Sequence, residues 1–178
     1  MQKIKIELGS VHILVNNAGG GNNAPLSEIT NEAWLKTQNL DVNGVMYMTR
    51  EIGSSMVEAR YGRIINIASI LGFGGLVELP IIDYATAKRA IVNFTRAAAA
   101  EWAQTGVTVN ALAPGFFASE ANNEEAMDFM REMIEIRTPM KRPGKPGELD
   151  SAIVFLAADE STYVTGQIIG IDGGWTAI

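Results

Sequence analysis

Cysteine is absent from all 178 residues. That excludes disulfides and thiolate sites, and it fits a reducing compartment. A basic surplus is missing too. The chain carries 14 Lys+Arg against 20 Asp+Glu, a net charge of -6, and no Lys/Arg cluster. This argues against a surface that tracks nucleic-acid phosphates. No apolar run approaches the roughly 20 residues of a membrane span, and the opening "MQKIKIELGS" is too polar for a signal peptide. The expectation is a cytoplasmic protein with no membrane partner. Repeats and low-complexity tracts are also lacking. What is present is a composition 47% apolar and 19% charged, that of a globular chain long enough to bury a core within one domain.

Four short runs are nearly continuously apolar: "VHILVNN" (11–17), "GRIINIAS" (62–69), "VTVNALAP" (107–114) and "QIIGID" (167–172). Strands that read this way are buried on both faces, as in a parallel sheet. Between them lie helix-period segments. In 40–59 the residues Val45, Met48, Ile52 and Met56 recur at helical spacing, and in 84–104 Ala87, Ile91, Phe94 and Ala98 do the same. Shorter helices are expected at 124–135 and 147–158, with one more start near Thr30 and Asn31. The "RPGKPG" cluster at 142–147 is a turn-rich connection rather than a domain boundary. Strands alternating with helices predict an α/β fold with right-handed crossovers.

The stretch "IIDYATAKRAIVNFTRA" places Tyr84 and Lys88 four apart on one helix face. A tyrosine with its ordinary pKa near ~10 is a poor base at neutral pH. A neighbouring ammonium stabilises the phenolate and lowers that value, which lets the pair exchange a proton with a substrate hydroxyl. Alone, Tyr-x-x-x-Lys is a weak pattern. Its surroundings strengthen it. Ser69 ends the strand "GRIINIAS", "NNAG" (16–19) ends the first strand, and "APGFFAS" (113–119) ends the third. All three fall at strand carboxyl ends, where open α/β sheets bind ligands. Asn43, in "LDVNGVMYMTR", falls inside a predicted helix, where Asn has poor propensity and needs a reason. The glycine runs "GFGG" (72–75) and "AGGG" (18–21) open no helix and are rejected as phosphate loops.

Taken in order, NNAG, Asn, Ser, Tyr-x-x-x-Lys, PG and the closing DGG resemble the short-chain dehydrogenase/reductase family. The resemblance runs from "GSVHILVNNAG" to "YVTGQIIGIDGGW", the C-terminal two-thirds of a family member. It implies a partial Rossmann-like, doubly wound parallel sheet as one truncated domain over 1–178. It also implies a reaction, NAD- or NADP-dependent interconversion of a secondary alcohol and a ketone. By the same resemblance, Tyr84 is the general acid/base, and Lys88 lowers its pKa and binds the nicotinamide ribose. Ser69 holds the substrate oxygen, and Asn43 holds a water that relays protons from Lys88. Asn17, Ala18 and Gly19 shape the floor of the cofactor cleft, while Pro114, Gly115, Phe117 and Ser119 cradle the nicotinamide. The phrases "GRIINIASILGFGG" and "NALAPGFFAS" look most like gluconate 5-dehydrogenase members, with 3-oxoacyl-carrier-protein reductase members next.

The sequence departs from the family pattern in three places. The Ser69–Tyr84 spacing is two longer than the commonest, so the loop "GLVELPIID" leaves the substrate open. His12 stands where the family often has an acidic residue and reads as a surface residue at a strand start. The family's glycine-rich strand–turn–helix is absent, and "QKIKIEL" reads as the end of the helix before the fourth family strand. The resemblance therefore implies an exposed edge at strand 11–17 and weak cofactor binding. About three hydrogen bonds to a charged pyrophosphate would be lost, at roughly 1.5–3 kcal/mol each. The alternative is a catalytically impaired fragment or pseudoenzyme that acts as an association module. Homo-oligomerisation through helices 40–59 and 84–104 and the C-terminal strand is expected on either reading.

Overall fold

A computed structural model describes residue 7 and residues 9–117 and 124–178. The predicted tail of a helix at 2–8 and the predicted site residue Ser119 lie, the first almost wholly and the second entirely, outside the described residues.

The four predicted strands form, each with shorter or equal bounds. They are β1 (Ile13–Asn16), β2 (Gly62–Ile67), β3 (Val107–Pro114) and β4 (Ile168–Ile171). They lie in one sheet in the order β1-β2-β3-β4, and every neighbouring pair is parallel. Among the described residues, the α-helices with defined bounds are α1 (Asn31–Gln38), α2 (Gly44–Ala59), α3 (Ile82–Trp102), α4 (Glu124–Arg137) and α5 (Asp150–Ala157).

The continuous apolar runs are explained by burial on both faces. Successive side chains of a strand point to opposite sides. Ile64 packs with Leu14, Val109, Ile52 and Met56 on the side of α2, whereas Ile65 packs with Leu112 and Leu156 on the side of α5. Ile64 and Ile65 are both fully buried. Residues of β1 alternate instead. Leu14 and Asn16 are buried, while Ile13 and Val15 are exposed. Among the described residues β1 is therefore an edge strand with one apolar face uncovered, as expected.

The predicted helix over 40–59 needs correction. Its α-helical part starts at Gly44, and Asn39–Asn43 form a π turn that joins α1 to α2. A π turn inserts an extra residue per turn and shifts which side chains face inward. Here it turns Asp41 into the interior, with none of its surface exposed. The helix expected over 84–104 begins two residues earlier, so Tyr84 falls in its first turn. The segments expected at 124–135 and 147–158 become Glu124–Arg137 and Asp150–Ala157.

Polar side chains tie the helices to the sheet just below its carboxyl edge. Asn16 donates from Nδ2 to Asn66 Oδ1 at 2.8 Å and to Thr49 Oγ1 at 3.2 Å. Asn66 in turn donates from Nδ2 to Thr95 Oγ1 at 3.0 Å. This chain of bonds crosses from β1 through β2 to α3, with a branch to α2. A satisfied buried network of this kind fixes one arrangement of its elements, and the residues that follow Asn16 and Asn66 enter the site.

Candidate active site

Ser69 follows β2. Its backbone is extended, and its Oγ accepts the Leu71 N–H at 3.1 Å, capping the short 3₁₀ turn Ile70–Gly72. A hydroxyl has one proton and two acceptor sites, so this cap leaves the Ser69 proton available to a second partner. Tyr84 reaches toward the same place from the first turn of α3. The two line one cleft of about 330 Å³ with Gly19, Gly20, Gly21, Gly115 and Phe116. The cleft opens beyond the carboxyl ends of the strands, where the topology of an open sheet places a ligand.

Lys88 lies one turn beyond Tyr84 and is almost fully buried. Its Nζ donates to Ile67 O at 2.9 Å and stands 5.2 Å from the centre of the Tyr84 ring. A buried ammonium needs a counter-charge, and the structure supplies Asp41, whose Oδ2 is 3.1 Å from Nζ. This contact is a charge pair rather than an aligned hydrogen bond, because Oδ2 has no hydrogen-bond partner. The other oxygen, Oδ1, accepts the Gly20 N–H at 2.9 Å. The loop backbone lies hard against the pair. A Cβ placed at Gly19 would come within 2.7 Å of Lys88 Nζ and 2.9 Å of Asp41 Oδ2, so a side chain there would displace the pair.

Tyr84 is pushed above the ordinary value of a phenol. Burial raises it most, the Ser69 hydroxyl pulls it back, and the Asp41 carboxylate raises it again. Desolvation dominates this balance, and the Lys88 ammonium faces the Asp41 carboxylate. A second buried acid, Asp83, anchors the start of α3. It accepts from Asn22 N at 3.0 Å, Asn22 Nδ2 at 2.8 Å, Thr37 Oγ1 at 2.7 Å and Tyr84 N at 2.8 Å. Burial alone would raise its pKa. The hydrogen bonds from Asn22, Thr37 and Tyr84 outweigh that and hold it below the ordinary carboxylate range. Its stabilising contribution is therefore complete above that range and fades as pH falls through the lowered value.

The predicted residues divide clearly. Ser69, Tyr84, Lys88, Gly19 and Gly115 come together. Asn17 and Ala18 lead from β1 into the glycine turn and are exposed, and Pro114 ends β3. Asn43 ends the π turn. Its Nδ2 donates to Asn39 Oδ1 at 2.7 Å within the π turn, and Asp41 occupies the place beside the ammonium. Phe117 follows Phe116 out of β3. It bridges to Gly144 and lines a neighbouring cleft of about 480 Å³, whereas Phe116 lines the cleft with Tyr84. His12 is exposed and packs edge-on against Tyr61, away from the site. Asp41 was findable in principle as an acid in the apolar frame "LDVNGVM", but a straight helical register gives no hint that it turns inward.

Known proteins resemble this chain in sequence and fold. The family described as enoyl-(acyl carrier protein) reductase matches residues 1–176. A 3-oxoacyl-(acyl-carrier-protein) reductase of Thermotoga maritima is 38% identical over 174 residues, 98% of this chain and 70% of that protein. A 2-dehydro-3-deoxy-D-gluconate 5-dehydrogenase of Dickeya dadantii is 37% identical, with 99% of this chain and 70% of that one covered. The crystal structure of a gluconate 5-dehydrogenase from Burkholderia cenocepacia, in complex with NADP and tartrate, superposes with a TM-score of 0.90 at 33% identity. It covers 99% of this chain and 69% of that one. With its Ser–Tyr–Lys cleft at the carboxyl edge of a parallel sheet and matches along its whole length, the chain belongs to the short-chain dehydrogenase/reductase family.

Proposed function

We propose that Tyr84 is the proton-transferring group in an NAD(P)-dependent interconversion of a secondary alcohol and a ketone. The observation that carries this is the shared cleft. Ser69 with an available hydroxyl proton, Tyr84, and the Lys88 ammonium behind it converge on one side, and Gly115 and Phe116 line the other.

The cleft suits the nicotinamide end of a dinucleotide. Gly19 and Gly21 bring the backbone flush against Lys88 and Tyr84, since a Cβ at Gly21 would come within 2.5 Å of Tyr84 Cβ. Phe116 lines the same cleft. Asn17, Ala18, Gly19, Gly115 and the Lys88 ammonium are the groups that would hold this end in place. The nicotinamide, when bound, supplies or accepts the hydride at the substrate carbon. The chain's own residues manage the oxygen. In reduction, Ser69 and Tyr84 hydroxyls both donate to the carbonyl oxygen, and Tyr84 gives up its proton as negative charge develops there. In oxidation the same proton returns to Tyr84.

The alternative reading, a non-catalytic association module, is not favoured, because the similar proteins are oxidoreductases. Self-association is compatible with catalysis. Tyr47 and Met48 on α2 and Val154 and Phe155 on α5 are exposed apolar residues that support a homo-oligomer. The substrate class is tested by incubating the chain with NADPH or NADH and a panel of β-ketoacyl thioesters and keto-sugar acids, following absorbance at the nicotinamide band. Carbonyl-dependent oxidation with at least one substrate is expected. No consumption with any carbonyl, or in reverse with any alcohol, would contradict the reading.

A further inference from the structure

The cleft that holds Ser69 and Tyr84 is continuous with another. Leu79 and Met130 line it, and both also line a second cleft of about 280 Å³. Residues 78 and 79 form one side of this second cleft, and Phe129, Met133 and Ile136 on α4 form the other. The shared floor is one apolar cluster, in which Met130, Met133 and Ile134 are buried and Leu79, Phe116 and Trp175 pack against them. Arg137 ties the two sides together. Its Nη2 stands 3.0 Å from Glu78 Oε1, and its guanidinium carbon is 5.9 Å from the centre of the Trp175 ring.

The lining decides what such a space can hold. In the first cleft, Ser69 and Tyr84 supply the polar side chains. The rest is glycine backbone and apolar side chains such as Ile70, Leu71, Ile81 and Met130. The charged residues on the second cleft are Glu78 and Glu132, both acidic. Among the described residues, the neighbouring cations are engaged: Lys88 with Asp41 and Ile67 O, Arg131 with Asp128, and Arg137 with Glu78. An anionic substrate would meet acidic groups and no free counter-charge. A polyhydroxylated one would bury hydroxyls with few partners, and an unpaired buried polar group is costly. An alkyl tail has no such cost. It would also cover Phe129 and Ile136, which are 72% and 74% exposed, and exposed apolar surface beside a cleft is the mark of a ligand groove.

We propose that the cleft formed by residues 78 and 79 and α4 is the tail site of the substrate, and that the substrate class is an uncharged ketone or secondary alcohol with an apolar chain rather than a keto-sugar acid. The carbonyl sits at Ser69 and Tyr84, and the chain passes over Leu79 and Met130 toward Phe129, Met133 and Ile136. The assignment rests on the reading of Ser69 and Tyr84 as the groups that hold the reacting oxygen.

The test measures binding apart from turnover. The full chain is titrated with butanone, hexan-2-one, octan-2-one and 5-ketogluconate in the presence of NADP⁺, which has no hydride to give, and binding is followed by ligand-observed NMR. Each added methylene should tighten binding about three- to fourfold, so octan-2-one should bind about 100-fold more tightly than butanone, and 5-ketogluconate should be the weakest. Phe129→Ala and Ile136→Ala alter exposed side chains, so folding should survive them, and each should flatten the rise with chain length, by about tenfold at octan-2-one for Phe129→Ala. Equal or absent binding along the ketone series would overturn the proposal. So would tighter binding of 5-ketogluconate than of octan-2-one, or a chain-length dependence untouched by both variants. Failure of the proton-transfer reading would look different: the chain-length dependence would stand, and octan-2-one would not be reduced when NADPH replaces NADP⁺.

Discussion

Replacing Tyr84 by Phe should lower turnover by about 10³-fold while leaving the fold intact. General acid–base catalysis by one positioned side chain contributes typically ~10²- to 10⁴-fold, and Ser69 alone has no second proton to deliver to the developing alkoxide. The ring is kept in the variant, and with it the wall of the cleft and the face 5.2 Å from Lys88 Nζ. The hydroxyl is not a ladder or cap partner, so the helix start held by Asp83 should be unaffected. The check is a pair of measurements on parent and variant, kcat for reduction of the best carbonyl and a thermal melt. A melt within about 2 °C of the parent and a kcat reduced by some three orders of magnitude, equivalent to ~4 kcal/mol of barrier, is the expected pattern. A kcat within tenfold of the parent would show that another group moves the proton.

Lys88→Met should be costly in a different way. It removes the charge partner of a carboxylate that has no exposure to water and leaves Asp41 with only the Gly20 N–H. Breaking a buried pair by deleting one member typically costs ~3–5 kcal/mol, because the survivor remains as an uncompensated charge. That is a large share of the ~5–15 kcal/mol by which a domain is stable. For a chain of this size it should lower Tm by roughly 10 °C or more. Removing both charges tells the pair apart from the packing. Asp41→Asn with Lys88→Met should recover much of the lost stability, since two neutral groups of similar volume leave no orphan charge. Turnover should stay low in both variants. A Lys88→Met melt unchanged from the parent would mean that the pair is not closed in solution.

How far the sequence could be read depended on the kind of signal. The strands were legible because a parallel strand covered on both faces must be apolar at successive positions, as at Ile64 and Ile65. Tyr84, Lys88 and Ser69 were legible because each is fixed by short-range spacing or by the end of a strand. The residue beside Lys88 was not. Asn43 came from the order of the family motifs, which says nothing of Asp41, and the π turn at Asn39–Asn43 brings the Asp41 carboxylate beside Lys88. Which clefts Phe116 and Phe117 line was not legible for a similar reason. After β3 the chain leaves regular structure, where neither the strand nor the helix period predicts facing, and contact with Gly144 sets the direction instead. The Asn22–Thr37–Asp83 cluster joins residues up to 61 apart in sequence. No local pattern announces such a contact, although it holds the first turn of the helix that carries Tyr84.

The central claim is that Tyr84 carries the proton and does so from a raised pKa. It is tested most directly by kcat/KM for NAD(P)-dependent alcohol oxidation as a function of pH, which reports the ionisations that must occur before the substrate reacts. Oxidation needs the phenolate. The phenolate fraction grows about tenfold per pH unit below the pKa, so log kcat/KM should climb with a slope near one through the alkaline range, levelling only above the ordinary ~10 of a phenol. A profile already flat between about pH 7 and 10 would contradict the account, since the base would then be ionised far below the value that burial and Asp41 impose on Tyr84.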